Sequence, residues 1–308
     1  MNQNEKAALR EILAQRESMY RLLARLYKTE ADKDLLDGLG AAGFPEEDGG
    51  LGEGFRLIAD WLRDPKSEDP VTELAVDYAH TFLGAGIADG LVSYPFESVY
   101  TSPGRLVMQD AWEDVCRIYR EHGLERGEQA DMHEDQIGLE CEFMAILAGR
   151  ALEALEADDE QALEASLADQ HAFLTKHLLN WVPRFTADVT VTALTDFYRG
   201  LAKVTDEFIR MDGGLLEDLK AETTSGGPRR TGPPKSLLRN TERTCAGVRP
   251  ASAHDGDGLM KRRNPEPART PALKDRTTNR RGFIAGAAGV AGLFALGAAA
   301  QGETPPLV

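Results

Sequence analysis

Apolar side chains recur at helical spacing almost from the first residue. Leu9, Ile12, Leu13, Leu22, Leu23, Leu26 and Tyr27 fall three and four apart with Arg and Glu between them, which predicts a long amphipathic helix over about 4–28. The same periodicity predicts helices at about 31–39, 51–64, 70–83, 105–123, 133–157, 160–181 and 188–219. One run alternates, Val189-Thr190-Val191-Thr192, but it is short and adjoins helix-spaced Leu194, Phe197, Tyr198 and Leu201. The expected fold class is therefore all-α, a single helical bundle of about 220 residues, long enough to bury a sizeable core.

Two connectors break the pattern. Tyr94-Pro95-Phe96-Glu97-Ser98-Val99-Tyr100 carries three aromatics, one acid and one hydroxyl, and follows a bend rich in glycine (Gly84, Gly86, Gly90). Connectors are usually small and polar, so a loop this aromatic either plugs the bundle or lines a groove. The second runs from Asp131 to Met144. Asp131 and Glu134 have the spacing of a helix N-cap and its N3 partner, and Asp135 would follow in the first turn, where negative charge suits the helix dipole. Capping leaves Gln136 and Glu140 unexplained, one turn apart on a shared face. Ile137, Cys141, Met144 and Ala148 form an apolar stripe expected in the core.

Charge divides the chain where the periodicity ends. The protein has 308 residues and a formal net charge of −16. Residues 1–220 hold 21 Lys+Arg and 44 Asp+Glu, a net of −23; residues 221–308 hold 14 and 7, a net of +7. Nineteen of the 21 aromatics lie in the first part and nine of the 15 prolines in the second, which lacks the large side chains a core needs. Three segments follow: a helical domain at 1–220, a flexible basic linker at 221–277 and a distinct terminal segment at 278–308. Three cysteines with no CxxC exclude a disulfide framework and suit a reduced, cytoplasmic setting.

Three blocks of the acidic part together resemble the TorD/DmsD family. They are Val76-Asp77-Tyr78-Ala79-His80-Thr81-Phe82-Leu83-Gly84, the 94–100 loop, and Asp135-Gln136-Ile137-Gly138-Leu139-Glu140 with Glu142-Phe143-Met144. The resemblance covers about residues 5–220 and implies an all-helical cytoplasmic chaperone that binds twin-arginine signal peptides and holds a molybdoenzyme until its cofactor is inserted. It also leaves a domain-swapped homodimer open. The family motif Glu-x-Pro-x-Asp-His is partial here: Asp131 stands for the Glu, His133 for the Pro, and Gln136 for the His, with Asp135 retained. A receptor for such a peptide needs carboxylates for two guanidiniums and an apolar channel for the rest. The expected peptide site lies between the aromatic loop and the start of the 133–157 helix, with Tyr94, Phe96, Glu97, Ser98, Tyr100, Asp135, Gln136 and Glu140 as its residues. A body at −23 would steer a cationic peptide toward it.

The terminal segment is itself similar to such a peptide. Asn279-Arg280-Arg281-Gly282-Phe283-Ile284 follows Thr278 in the twin-arginine pattern, then 284–300 is free of charge and ends in Ala298-Ala299-Ala300-Gln301, a small-residue cleavage pattern. Seventeen moderately apolar residues suit a signal better than a spanning helix, so no stable membrane insertion is expected. Residues 260–308, opening on Met260-Lys261-Arg262-Arg263, look like the small twin-arginine target protein found beside formate dehydrogenase genes, which suggests two neighbouring reading frames joined. A flexible chain from Lys220 to Arg280 reaches roughly 40–45 Å. The segment would meet its own groove, or a neighbour's, at an effective concentration near the millimolar scale.

Other chemistries find little support. The six His residues form no HExxH pair, Gly50-Leu51-Gly52-Glu53-Gly54 lacks a preceding strand, and the basic tail lacks interleaved aromatics, so neither a cofactor, a metal nor nucleic acid is expected. The competing reading is a metal- or cofactor-dependent helical enzyme with a basic C-terminal tail.

Overall fold

A computed structural model describes residues 3–224 except 43, 45–48, 88–89 and 128–130, and leaves the side chains of 221–224 aside. The proposed linker, the twin-arginine motif (Asn279, Arg280, Arg281, Phe283, Ile284) and the Met260 start all lie outside the described residues. Every regular element among those described is helical, in the order α1 (Gln3–Lys28), α2 (Lys33–Ala42), α3 (Gly50–Arg63), α4 (Pro70–Leu83), α5 (Glu97–Thr101), α6 (Asp110–Glu121), α7 (Ile137–Glu156), α8 (Glu160–Phe173), a π-helical turn (Leu174–Leu178), α9 (Leu179–Thr192) and α10 (Asp196–Thr224). The only β pairing among the described residues is an isolated antiparallel bridge between Phe96 and Gln136. No described helix is long and apolar enough to cross a membrane.

Local signals set α4. Asp69 caps it by accepting from Thr72 N, Pro70 fills the first position where no N–H is needed, and Gly84 closes it at φ 72°, in the left-handed region. The long pairings are tertiary. α1 lies along α7 and α10 along α3, while α8 touches both α7 and α10. At the α3–α10 crossing a Cβ on Gly200 would sit 2.6 Å from Gly54 O, so only glycine lets these backbones meet. α1 and α10 are also joined through a fully buried ion pair. Arg16 donates to both carboxylate oxygens of Asp212 and to Gln170 Oε1, and Tyr20 Oη donates to the same Asp212. An aromatic cluster of Tyr27, Tyr78, Phe82, Phe185 and Tyr198 fills the space between α1, α4, α9 and α10.

The last third departs from the sequence expectation. Breaks were expected near 181 and 188, with Pro183 between them; instead α8, the π-helical turn and α9 run on from Glu160 to Thr192 with Pro183 inside the helix. Thr186 Oγ1 donates to Val182 O and Pro183 O, while the carbonyl that proline deprives of its donor is that of Leu179, four residues earlier. The chain turns at 193–195 because of Asp77, a buried residue of α4. Its carboxylate accepts from Leu194 N, Thr195 N, Thr195 Oγ1 and Thr81 Oγ1, which stops α9 and starts α10. The helix expected from 105 begins at 110, since Arg105 and Met108 adopt positive φ (50° and 56°).

Candidate functional site

The aromatic loop and the start of α7 are stitched together. Glu97 N donates to Asp135 O (2.9 Å), Ile137 N to Pro95 O (3.0 Å), and Ser98 N to Asp135 Oδ2 (2.9 Å). Gln136 is the N-cap of α7: its Oε1 accepts from Gly138 N and Leu139 N, and its Nε2 donates to Tyr27 O at 2.7 Å. This corrects the expected cap. Asp131 precedes the helix, Glu134 accepts from Trp112 Nε1 (2.6 Å) and Arg126 Nε (3.3 Å), and Asp135 lies just outside the first turn. Gln136 and Glu140 therefore do not share an open helix face; both are buried. The stripe of Ile137, Cys141, Met144 and Ala148 is fully buried, as its spacing predicts.

Behind the stitch lies a polar cluster with no water access. Glu97 Oε2 is 2.7 Å from His177 Nδ1, and Trp181 Nε1 donates to Glu140 Oε2 at 3.1 Å. Glu97, Ser98, Asp135, Gln136, Glu140 and His177 are all at most 2% exposed. Burial pushes the Glu140 carboxyl well above the usual carboxylate range, and the neighbouring Glu97 and Asp135 charges push it the same way. Burial raises Asp135 as well, opposed by its hydrogen bonds from Ser98. Five of the eight expected site residues thus form the interior support of the loop.

Of the other three, Tyr94 and Phe96 reach the surface, while Tyr100 is buried at 6% exposure. Tyr94 is 41% exposed, Phe96 is half-buried against His133, and Tyr100 lies under the Arg105 guanidinium, 5.0 Å from its ring centre, with its hydroxyl donating to Asp188. Around them gathers a feature the sequence did not reveal. All nine exposed large apolar side chains among the described residues fall on three segments: Val76 and Leu83 on α4; Leu91, Tyr94, Leu106, Val107 and Met108 between 91 and 108; Val191 and Leu194 at the end of α9. Those segments are tied by Ser93 N to Thr81 O, Ser93 Oγ to Thr192 Oγ1, Leu194 N to Asp77, and Arg105 to Asp188. Singly scattered apolar exposure is ordinary on a protein surface, whereas these nine side chains fall on adjoining segments. A separate cavity of about 510 Å³, lined by Leu36, Trp61, Leu62 and Val71 among others, lies at the opposite end of α4, roughly 20 Å along the helix.

His177, Trp181 and Asp188 were missed because they lie 41 or more residues from the site groups they bond to. The π-helical turn that holds His177 has no single-sequence signal, although such turns often accompany functional positions.

Comparison with known proteins follows the same part of the chain. Residues 45–187 match the family described as nitrate reductase delta subunit. The chaperone protein TorD of Vibrio cholerae serotype O1 is 29% identical over 156 residues, covering 51% of this chain and 68% of the relative. That of Photobacterium profundum is 28% identical over 164 residues (53% and 72%), and that of Vibrio atlanticus 27% over 209 residues (66% and 94%). These relatives are all named chaperone proteins, and the family match falls within the helical body.

Proposed function

We propose that this chain is a TorD-type chaperone of the cytoplasm that binds the twin-arginine signal peptide of a molybdo- or tungstoenzyme and holds the client for cofactor insertion. One observation carries the reading: the exposed apolar side chains gather around the 91–108 loop, beside the partly exposed Asp188, in a body of net charge −23. A signal peptide offers the complement, two guanidiniums followed by an apolar stretch. The apolar stretch lies across Leu83, Tyr94, Leu106 and Met108, and a guanidinium competes with Arg105 for Asp188. Glu97, Ser98, Asp135, Gln136 and Glu140 hold the loop in place from behind, since burying a guanidinium among them would first require opening the stitch.

The client is a molybdo- or tungstoenzyme of the formate dehydrogenase or dimethyl-sulfoxide-reductase type, the former favoured by the resemblance of residues 260–308 to a formate-dehydrogenase-associated twin-arginine protein. Those residues serve as a ligand carried on the same chain, occupying its own or a neighbour's surface.

The test is calorimetric titration of a twin-arginine peptide into the full chain and into a variant carrying Tyr94→Ser, Leu106→Ser and Met108→Ser. These side chains are 41–59% exposed, so the fold should stand. Binding at least about tenfold weaker, a loss of 1.4 kcal/mol, is expected. Equal affinity would remove the peptide from this surface.

A further inference from the structure

Three chemically matched side chains converge where no function has been assigned to them together. Glu97 opens α5, Glu140 sits in the first turn of α7, and His177 lies in the π-helical turn. Each offers one ligand atom, and the three atoms lie within 4.8 Å of one another, all buried. We propose that Glu97, Glu140 and His177 form a binding site for one first-row divalent cation of the Zn²⁺ type.

The surroundings fit this better than they fit a plain structural cluster. Glu140 Oε1 accepts from no donor although its side chain is fully buried; with the carboxyl protonated it shares that proton with neighbouring Glu97, and a cation would take the proton's place. Its other oxygen is oriented by the Trp181 indole N–H at 3.1 Å. His177 presents Nδ1 to the cluster, while its Nε2 lies 3.4 Å from Asp114 Oδ2, which is also paired with Lys176 and Arg117. Ligation through Nδ1 places the ring proton on Nε2, facing that carboxylate. A carboxylate behind a metal-bound imidazole is the usual outer-shell arrangement. Two carboxylates and one imidazole form a mixed O,O,N set that suits Zn²⁺ or Mn²⁺ over the thiolate-seeking metals and over Ca²⁺. Two anionic ligands also neutralise a dication, so the filled site would carry no net charge in a place where charge is expensive.

Ligand bonds of about 2.0–2.2 Å put tetrahedral ligand atoms roughly 3.3–3.6 Å apart, so on binding the more distant ligand atom closes inward by about an ångström while Glu97 Oε2 and His177 Nδ1, now 2.7 Å apart, spread by about half an ångström. The carboxyl of Glu140 must lose its proton when the metal enters, and uptake should therefore release about one proton. Entry needs the 94–100 stitch to open, which makes loading slow. The site stands independently of the peptide reading.

The experiment uses the full chain, stripped with chelator and then incubated with Zn²⁺ or Co²⁺. The measurements are metal content after gel filtration, the visible Co²⁺ spectrum, and calorimetry in two buffers of different ionisation heat. One equivalent with proton release and a low-coordinate Co²⁺ spectrum is expected, together with at least tenfold weaker binding in both Glu140→Gln and His177→Gln. Glu140→Gln keeps shape and adds no charge, so it decides the matter even if the histidine variant fails to fold. No stoichiometric metal in the parent chain, or one equivalent retained in Glu140→Gln, overturns the proposal.

Discussion

Replacing Glu140 by Gln isolates the energetic consequence of burying that carboxyl. Its value in the folded protein is raised well above the ordinary one near 4.5, chiefly by burial and then by Glu97 and Asp135. Between the unfolded and folded values the folded protein retains a proton that the unfolded chain releases. Stability therefore falls as pH rises across that interval, with a limiting slope of about 1.4 kcal/mol per pH unit. Glutamine cannot ionise, and its carbonyl can keep the Trp181 N–H bond while its amide faces Glu97. The groups facing position 140 are unchanged in the variant: Glu97 from α5, Asp135 before α7, Tyr119 from α6, Cys141 from α7 itself, His177 from the π-helical turn, and Trp181 from α9. Carboxylates with lowered values (Asp32, Asp69, Asp114, Glu134) contribute stability of the opposite sign, lost as pH falls, but equally in both proteins. Urea denaturation of both proteins in chelator, from pH 5 upward, should show the variant gaining on the parent by about 1.4 kcal/mol per unit before levelling off. For a body of this size the gain corresponds to roughly 3–6 °C in Tm per pH unit. Two pH profiles that run parallel would show that Glu140 titrates like an exposed acid, and the account of its burial would be wrong.

Further outcomes are expected elsewhere. Asp77→Ala strands the Leu194 and Thr195 amides, and at about 1–3 kcal/mol per unmet donor should cost roughly 3–5 kcal/mol in denaturant titration; a loss under about 1 kcal/mol would refute its role as the α9–α10 stop. Arg16→Ala leaves the Asp212 carboxylate buried without a cation, with only the Tyr20 hydroxyl to bond it, and should destabilise by about 3–5 kcal/mol; the double change Arg16→Met with Asp212→Leu should recover part of that, since Tyr20 and Gln170 then lose those partners. Deleting residues 275–308 should increase binding of an added twin-arginine peptide if that segment occupies the surface, and no increase would count against self-occupancy.

What the sequence reveals depends on how local its causes are. The 70–83 helix was legible to the residue because Asp69, Pro70 and Gly84 all act within one turn of its ends. The all-α class followed from periodicity, and the three family-like blocks brought together the 94–100 loop and the start of α7, which the structure shows in direct contact. The end of α9 was not legible, since Asp77 imposes it from more than a hundred residues away. Nor was the burial of the acids. Glu97, Asp135 and Glu140 read as carboxylates for a ligand's cations, whereas the fold turns them inward toward backbone amides, His177 and Trp181. The apolar surface stayed hidden for the complementary reason: Leu83, Leu106, Met108 and Val191 carry the same side chains as core residues, and only packing tells which are left outside.

The central claim, that the helical body receives a twin-arginine peptide on the surface around the 91–108 loop, is tested most directly by calorimetry on the chain lacking residues 275–308. It would be titrated with a peptide spanning Thr278 to Gln301 and with the same peptide carrying Lys in place of Arg280 and Arg281. The account predicts one-to-one binding of the arginine peptide, weaker binding of the lysine peptide because the planar bidentate donor is lost, and weakening by added salt. No measurable heat with the arginine peptide, or equal affinity for both, would contradict it.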